Sequence, residues 1–519
     1  MPQNDNWDVL IIGAGLNGLT MANYLMESGL KVMVIERRLE SGGGLTSEEP
    51  TITGFWHNTG QYIFDTLNLL PFHKELRVDR WNISFVHPEV QSALPLNDGR
   101  SLVIYKDLQR TLDSVRQFSR QDADTWRDLH RAALHEFPEF TGAALRRPGK
   151  GAPAPASTEF ARLTRMSPRE VLDELFQSPV VKSLILHHLL IPRGISYDYS
   201  GTGHFVPFVI AQAGQGQMVH EGTHEMAQGL WTGVMRHADG DIWDMTEVTR
   251  ILVEKGRAVG VELASGKRLY GRAVVSTLTP METFRLAGER HVKPQLLERL
   301  KRYKPDEFSL FTVHLALRSA PRFQAASSNP DVNRAFRYGI GPESAEDHAE
   351  LWDQIRRGQL PSRPYMLASF PTVHDPSQAL TGHHTAMIWQ IVPRALRGGD
   401  WESAAPQFMR FCIDSLRRYA PNLSEENIMG AVNMTPDTLV SKWTNLDVGV
   451  FGGRNYGGQL GAFRPLPELS GYRTPISGLY LAGATMPPGA GLTPASGMAC
   501  LEVLAGDLKI KRWWGKKTA

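Results

Sequence analysis

An α/β fold, with a first domain assembled from both ends of the chain and a discontinuous mixed α/β second domain, is predicted by three observations. A strand, glycine turn, helix and strand follow one another at the N-terminus; a second glycine turn runs into a helix near the other end; two long insertions separate them. Each element follows from the residues in turn.

Asp8 to Ile12 is a short apolar run, Leu16 to Ser28 carries helical apolar spacing, and Lys31 to Ile35 is β-rich again, which makes a βαβ unit. From about Leu69 to Ala213 the pattern is mostly helical, interrupted by the Pro- and Gly-rich loop Arg146 to Ser157. Two β-rich runs, Asp244 to Val253 and Ala258 to Leu263, join through the Lys255-Gly256 turn, and Arg272 to Ser276 returns as a further strand. A second insertion, from about Val292 to Ala431, mixes helices with strands such as Ser309 to Leu317 and Thr385 to Val392. The predicted division is therefore 1–72, 214–291 and 432–519 for the first domain, and 73–213 with 292–431 for the second.

At 519 residues the chain exceeds the size at which one core stops growing, so two lobes are expected. With 42% hydrophobic and 21% charged residues it falls in the globular range. Its 56 basic and 54 acidic residues give a net charge of +2, which excludes a global field for nucleic acid. Two cysteines, Cys412 and Cys500, are too few for a disulfide framework and point to a reducing, cytoplasmic setting. The first strand begins without a basic and apolar leader, and no apolar run of spanning length occurs, so secretion and membrane spanning are not expected.

Gly13-Ala14-Gly15-Leu16-Asn17-Gly18 matches the GxGxxG fingerprint between a strand and a helix, with Glu36 and Arg37 at the end of the next strand. Gly13 permits the tight turn, Gly15 lets backbone approach a pyrophosphate, Gly18 lets helix and strand pack, and Glu36 can hydrogen-bond a ribose hydroxyl. The helix start adds free N–H groups and a partial positive charge. Near the other end, Gly478 to Gly483 reads as a strand ending in glycine, followed by the turn Ala484 to Leu492 and a helix from about Pro494 to Leu504. This second helix start can face the pyrimidine edge of a flavin, where negative charge grows on reduction, a need that NAD enzymes lack. The first domain is therefore predicted to be an FAD-binding Rossmann-like domain. The single fingerprint leaves no site for NADPH.

With these motifs placed, the chain resembles the phytoene desaturase and carotene ketolase branch of FAD oxidoreductases, most closely its members like pyridine nucleotide-disulfide oxidoreductase domain 2. Gly42-Gly43, Gly54-Phe55 with Gly60, the hairpin Arg250 to Ser276, and Arg464-Pro465 through Tyr472-Arg473-Thr474-Pro475 to Gly483 carry the likeness. The resemblance implies a glutathione-reductase-type fold and non-covalent FAD. It places Gly42 and Gly43 at the cofactor, backbone around Val248 at the adenosine, Gly483 and Ala484 at the ribityl chain, and Leu492 with Thr493 near the flavin ring. Asn58, Thr46 and His220-Glu221-Gly222-Thr223 depart from the family pattern and cluster along the expected re-face and substrate path.

The expected chemistry is that of a dehydrogenase, desaturase or oxidase: hydride leaves a hydrophobic small molecule, and electrons pass to dioxygen or a quinone. A flavin amine oxidase, a flavin-dependent isomerase and a non-catalytic flavin protein are the alternatives. His57, Tyr62 and His220 are the acid–base candidates. The neighbours His187-His188 and His383-His384 point to different faces of a helix or strand, so no metal is expected. Cys500 is read as a packed hydrophobe, not a flavin link. The tail Lys509 to Lys517 combines five cations with two tryptophans and suits contact with an anionic membrane surface.

Overall fold

The computed structural model describes residues 6–146, 158–489 and 493–515. Leu492, Lys516, Lys517 and the expected loop beyond Arg146 as far as Ser157 lie outside them.

The first sheet grows from strand Asn6–Ile12, whose last four residues are fully enclosed. It pairs in parallel with Val32–Ile35 on one side and with Arg268–Ser276 on the other. Gly240–Trp243 extends the sheet beyond Val32–Ile35. One edge of Arg268–Ser276 is shared: Arg268 to Tyr270 pair antiparallel with the hairpin Val248–Glu254 and Arg257–Leu263, and Val274 to Ser276 pair in parallel with Leu479–Leu481. Five strands thus run the same way, drawn from both ends and the middle of the chain. Helix Leu16–Met26 is buried at every position but Asn17, because helices His224–Met235 and Ala495–Asp507 pack against it.

The second sheet orders Ile428–Met434, Phe308–Leu317, His384–Pro393, Met366–Ser369, Arg337–Ile340, Val90–Pro95 and Ser101–Tyr105. Its register sorts side chains onto two faces. Val313, Ile388, Ala368 and Tyr338 align on one, covered by helix Trp401–Arg417, where Phe408 meets Phe311 with ring centres 5.1 Å apart. His314 with Met387 and Ser369, and Thr312 with Trp389, Leu367 and Gly339, align on the other. That second face meets Tyr62 and His57, which come from the first lobe.

Several boundaries move. Strands Val90–Pro95 and Ser101–Tyr105 lie inside the stretch expected to be helical, and Ile428–Met434 crosses the expected boundary at 431/432 to finish the second sheet. Val78, Trp81 and Ile83, and Leu296, Leu297 and Leu300 of helix Pro294–Lys301, pack in the first core although both segments were assigned to the second domain. Burial against the parallel sheet outweighs their position within an insertion.

The tail also differs from its expected use. Trp513 stacks on Tyr24 with ring centres 5.2 Å apart and donates its Nε1–H to Tyr24 O at 3.2 Å. Trp514 is 7% exposed and donates to Glu502 Oε1 at 2.7 Å, and Arg512 pairs with the same carboxylate. Both indoles are therefore engaged within the protein, against the first helix pair, and no lipid headgroup is needed to account for where they sit. Trp514→Ala is expected to lower stability by about 3 kcal/mol, read as a thermal midpoint lower by a few degrees. A variant as stable as the parent that had lost binding to anionic liposomes would restore the membrane role.

Candidate active site

Two helices begin side by side at the carboxyl end of the parallel sheet. The first is preceded by Gly15 and the second by Pro494; neither of these two residues supplies a side-chain cap and neither first turn holds an acidic residue, so N–H groups remain free at both starts. Asn17 Oδ1 accepts the N–H of Gly497 at 2.7 Å and fixes one start against the other. Gly497 has no room for more: a Cβ there would stand 2.7 Å from Asn17 O.

The three fingerprint glycines are required for different reasons. A Cβ on Gly13, whose φ is +97°, would stand 2.2 Å from Thr277 Oγ1, and one on Gly18 would stand 2.2 Å from Gly13 O. A Cβ on Gly15 would meet nothing nearer than Gly43 Cα at 3.9 Å. The protein itself does not exclude a side chain at Gly15, and the space above it fits a pyrophosphate approached by bare backbone. Gly42 and Gly43 close the loop, with the Gly42 N–H on Ala14 O at 2.8 Å. Glu36 accepts the N–H of Ala14 and of Arg38, both at 2.9 Å, and its oxygens retain lone pairs for a ribose hydroxyl. Arg37 is exposed beside it, and Val248 is buried at the start of the adjoining hairpin.

At the other end, Gly483 has φ +104° and donates its N–H to Ser496 Oγ at 3.0 Å. Ala484 O accepts from Arg464 Nη2 at 2.9 Å. Arg464 is fully enclosed and also donates to Phe451 O, Gly452 O and Asn455 Oδ1, so one guanidinium ties the glycine turn to the loop beside it. Thr493 is half-buried just before the second helix. Among the described residues, Gly13, Gly15, Gly18, Glu36, Gly42, Gly43 and Gly483 come together around these two helix starts, and the chemistry there fits FAD. Cys500 is buried and unpaired within the second helix, which fits packing.

Spacing alone did not reveal the segment after Met434. Lys442 is held by Glu48 and, at 3.2 Å, by Thr59 Oγ1; Trp443 Nε1 donates to Gly43 O at 2.7 Å; Asn445 Nδ2 donates to Thr277 O at 3.2 Å. Helix Pro436–Lys442 packs on strands Phe308–Leu317 and Ile428–Met434, so this segment, expected in the first domain, goes with the second lobe and grips the glycine loop from outside. Burial lowers the Lys442 ammonium from its ordinary range despite its carboxylate partner.

The three departures from the family pattern form one buried network. Asn58 Oδ1 accepts Thr223 N at 2.8 Å and Ser47 Oγ at 2.9 Å, and Thr46 O accepts Thr223 Oγ1 at 3.3 Å. Asn58 Nδ2 donates to Gln378 Oε1 at 2.9 Å, a bond that an ionised Asp could not make.

Of the three acid–base candidates, His57 and Tyr62 reach the face of the second sheet and His220 does not. His57 shares a hydrogen bond with Thr51 Oγ1 at 2.9 Å, meets His314 edge-on at 5.4 Å, and is pushed down to about 4 by burial. Tyr62 is fully buried between Phe336 and Trp389, and burial pushes its hydroxyl up. His220 is exposed, with its Nε2 3.6 Å from Asp375 Oδ1. Among the described residues, no group of three or more His, Cys, Asp or Glu side chains is arranged to hold a metal.

Fold and site together define a two-lobed flavoprotein oxidoreductase. The chain belongs to the flavin-containing amine oxidoreductase family, whose model matches residues 16–490. It is 29% identical to one subunit of the limonene dehydrogenase of Castellaniella defragrans, over 98% of this chain and 96% of that one. It is 24% identical to a lycopene-forming phytoene desaturase of Paracoccus sp., over 96% and 97%. An oxidoreductase from Methanosarcina mazei shares the fold with a TM-score of 0.64 at 17% identity, over 96% and 99%. The resemblance to desaturase-like FAD oxidoreductases read from the motifs therefore holds, and FAD is the cofactor.

Burial holds His57, His187 and His204 near 4, and His188, His314 and His348 well below the ordinary histidine value. In the unfolded chain these six take up protons below about 6.5, whereas burial keeps the folded chain from taking them up until the pH is well below that. Their contribution is complete above about 6.5 and is lost as pH falls. Asp306, pushed up to about 6 by burial, and Asp447, raised by burial, oppose this, and the histidines outnumber them. The thermal midpoint of the FAD-loaded protein should fall steadily from pH 7.5 to pH 5; a midpoint that rose over this range would contradict the assignment.

Proposed function

We propose that this enzyme takes hydride from a hydrophobic small molecule held between the two lobes, and that the electrons go on to dioxygen or a quinone. The observation that carries the reading is the wall of the second sheet turned towards the first lobe. Met387, Trp389, Ile391, Leu310 and Met434, with Tyr62, Phe336 and Phe451, make one buried aromatic and aliphatic cluster. Phe451 belongs both to this wall and, through its carbonyl, to the Arg464 network at Ala484, so the apolar interior adjoins the flavin turn. Bound FAD supplies the hydride acceptor; the chain's part is to orient an apolar skeleton and exclude water. The imidazoles of His57 and His314 are held neutral at pH 7 by burial, so neither adds a standing charge to this interior.

The named substrates of the two sequence relatives, limonene and phytoene, support an apolar substrate. The amine oxidase alternative is weaker on electrostatic grounds. The interior holds a surplus guanidinium at Arg337, and a protonated amine would be repelled from it. Among the described residues no helix is long and apolar enough to cross a membrane, and both cysteines are buried thiols. We place the enzyme in the cytoplasm, taking its substrate from solution or a carrier.

The test is anaerobic mixing of the purified yellow protein with three panels: unsaturated apolar compounds, primary amines, and the reduced nicotinamide nucleotides. Loss of the oxidised flavin absorption with a member of the first panel only is expected. Bleaching by amines, or rapid bleaching by NADH or NADPH, would contradict the proposal.

A further inference from the structure

Strand Arg337–Ile340 begins with a guanidinium turned onto the apolar face of the second sheet. Arg337 is 2% exposed, and neither its Nε nor its Nη1 has a hydrogen-bond partner. Its nearest carboxylate, Asp65, stands 3.7 Å from Nη1. Asp65 is already committed: Arg193 Nη2 donates to the same Oδ2 at 2.8 Å. All three side chains are buried, so two guanidinium charges share one carboxylate.

The other groups around Arg337 do not restore the balance. His187 and His188 are kept neutral by burial, and His188 shares a hydrogen bond with Ser92 Oγ, on the strand that pairs with Arg337. The Tyr62 hydroxyl lies beside Ser369, which gives its own proton to Phe336 O at 2.6 Å, and has no hydrogen-bond partner of good geometry. Trp389 Nε1, next to the Tyr62 ring, is also without a partner. An apolar wall that carries a guanidinium with only a shared carboxylate, and two idle neutral donors, is costly as it stands, since a buried charge without full pairing is destabilising.

We propose that Arg337, with Tyr62, is the recognition point for an anionic group on the substrate, and that the substrate class is a hydrophobic carboxylate. One carboxylate would balance the buried charge, occupy the open N–H groups of Arg337 and accept from the Tyr62 hydroxyl. The apolar remainder would lie along Met387, Trp389 and Met434 towards the flavin turn. This rests on the reading that the interior between the lobes is the substrate site. Arg337 here is a specificity residue: it holds the end of the molecule and takes no part in hydride loss.

The FAD-loaded protein should be titrated with medium-chain alkanoates and with alcohols of matched length, following the flavin spectrum and tryptophan fluorescence. At least one alkanoate is expected to bind roughly tenfold or more tightly than its alcohol. In Arg337→Met that preference should disappear while alcohol binding is kept. Without ligand, Arg337→Met should melt no lower than the parent, because Asp65 and Arg193 are then evenly paired. Equal binding of acid and alcohol across the series, a preference that survives in Arg337→Met, or a lower melting temperature for that variant would each overturn the proposal. Photoreduction of the same samples checks the parent reading separately: a protein without reducible flavin fails as an oxidoreductase, whatever its carboxylate preference.

Discussion

Asn17 and Gly497 are 480 residues apart and joined by one hydrogen bond of 2.7 Å. The geometry of the cofactor site follows from that contact. A helix start offers an anion only its last few free N–H groups, and the attraction fades within a turn. Two starts act on one dinucleotide only if they are held together, and here a side chain of one helix caps a backbone donor of the other. The sheet makes the meeting possible: Asn6–Ile12 and Leu479–Leu481 flank the same strand, Arg268–Ser276, in parallel, so both following turns emerge on the same edge.

The glycines of this region separate by what they accommodate. Gly13, Gly18, Gly60 and Gly483 are required by backbone or side-chain atoms within 3 Å of where a Cβ would stand, and Gly15 is not. The first group builds the shape of the loop; the last leaves it open to a ligand. The second lobe completes the enclosure by a different chemistry, with Trp443 and Asn445 donating to carbonyls of the glycine loop and of Thr277. Its sheet then offers the first lobe an apolar face interrupted by Arg337, and that contrast sets what the interior can hold.

The parts legible in the sequence were those whose signal is local. The opening βαβ unit shows itself because strand, glycine turn and helix follow without interruption, and the closing turn because Gly483 and the helix after it repeat the same grammar. Strands Val90–Pro95 and Ser101–Tyr105 were hidden because fully buried runs lose the alternation that marks a strand. Gly240–Trp243 is too short and too polar to be seen before its neighbour is known. Arg337 sits in an ordinary β-rich run, and only the register with Gly339, Leu367 and Trp389 reveals which way it faces. The tail shows the limit of composition: paired tryptophans among cations suit a lipid surface and suit Tyr24 equally well, and only the fold decides. Thr46, Asn58 and Thr223 stood out singly as departures, but their common network required the segments at 46–59 and 218–224 to meet.

The cofactor site depends most on the clamp between the two helix starts, and the FAD dissociation constant of Asn17→Ala tests it directly. Loss of a partly buried acceptor leaves the Gly497 N–H unpaired and frees the second helix start to shift, at a cost of about 1–3 kcal/mol. FAD is expected to bind roughly tenfold or more weakly, with an unchanged far-ultraviolet circular dichroism spectrum. Parent-like FAD affinity in a correctly folded Asn17→Ala protein would show that the two helix starts act independently and would contradict the clamp.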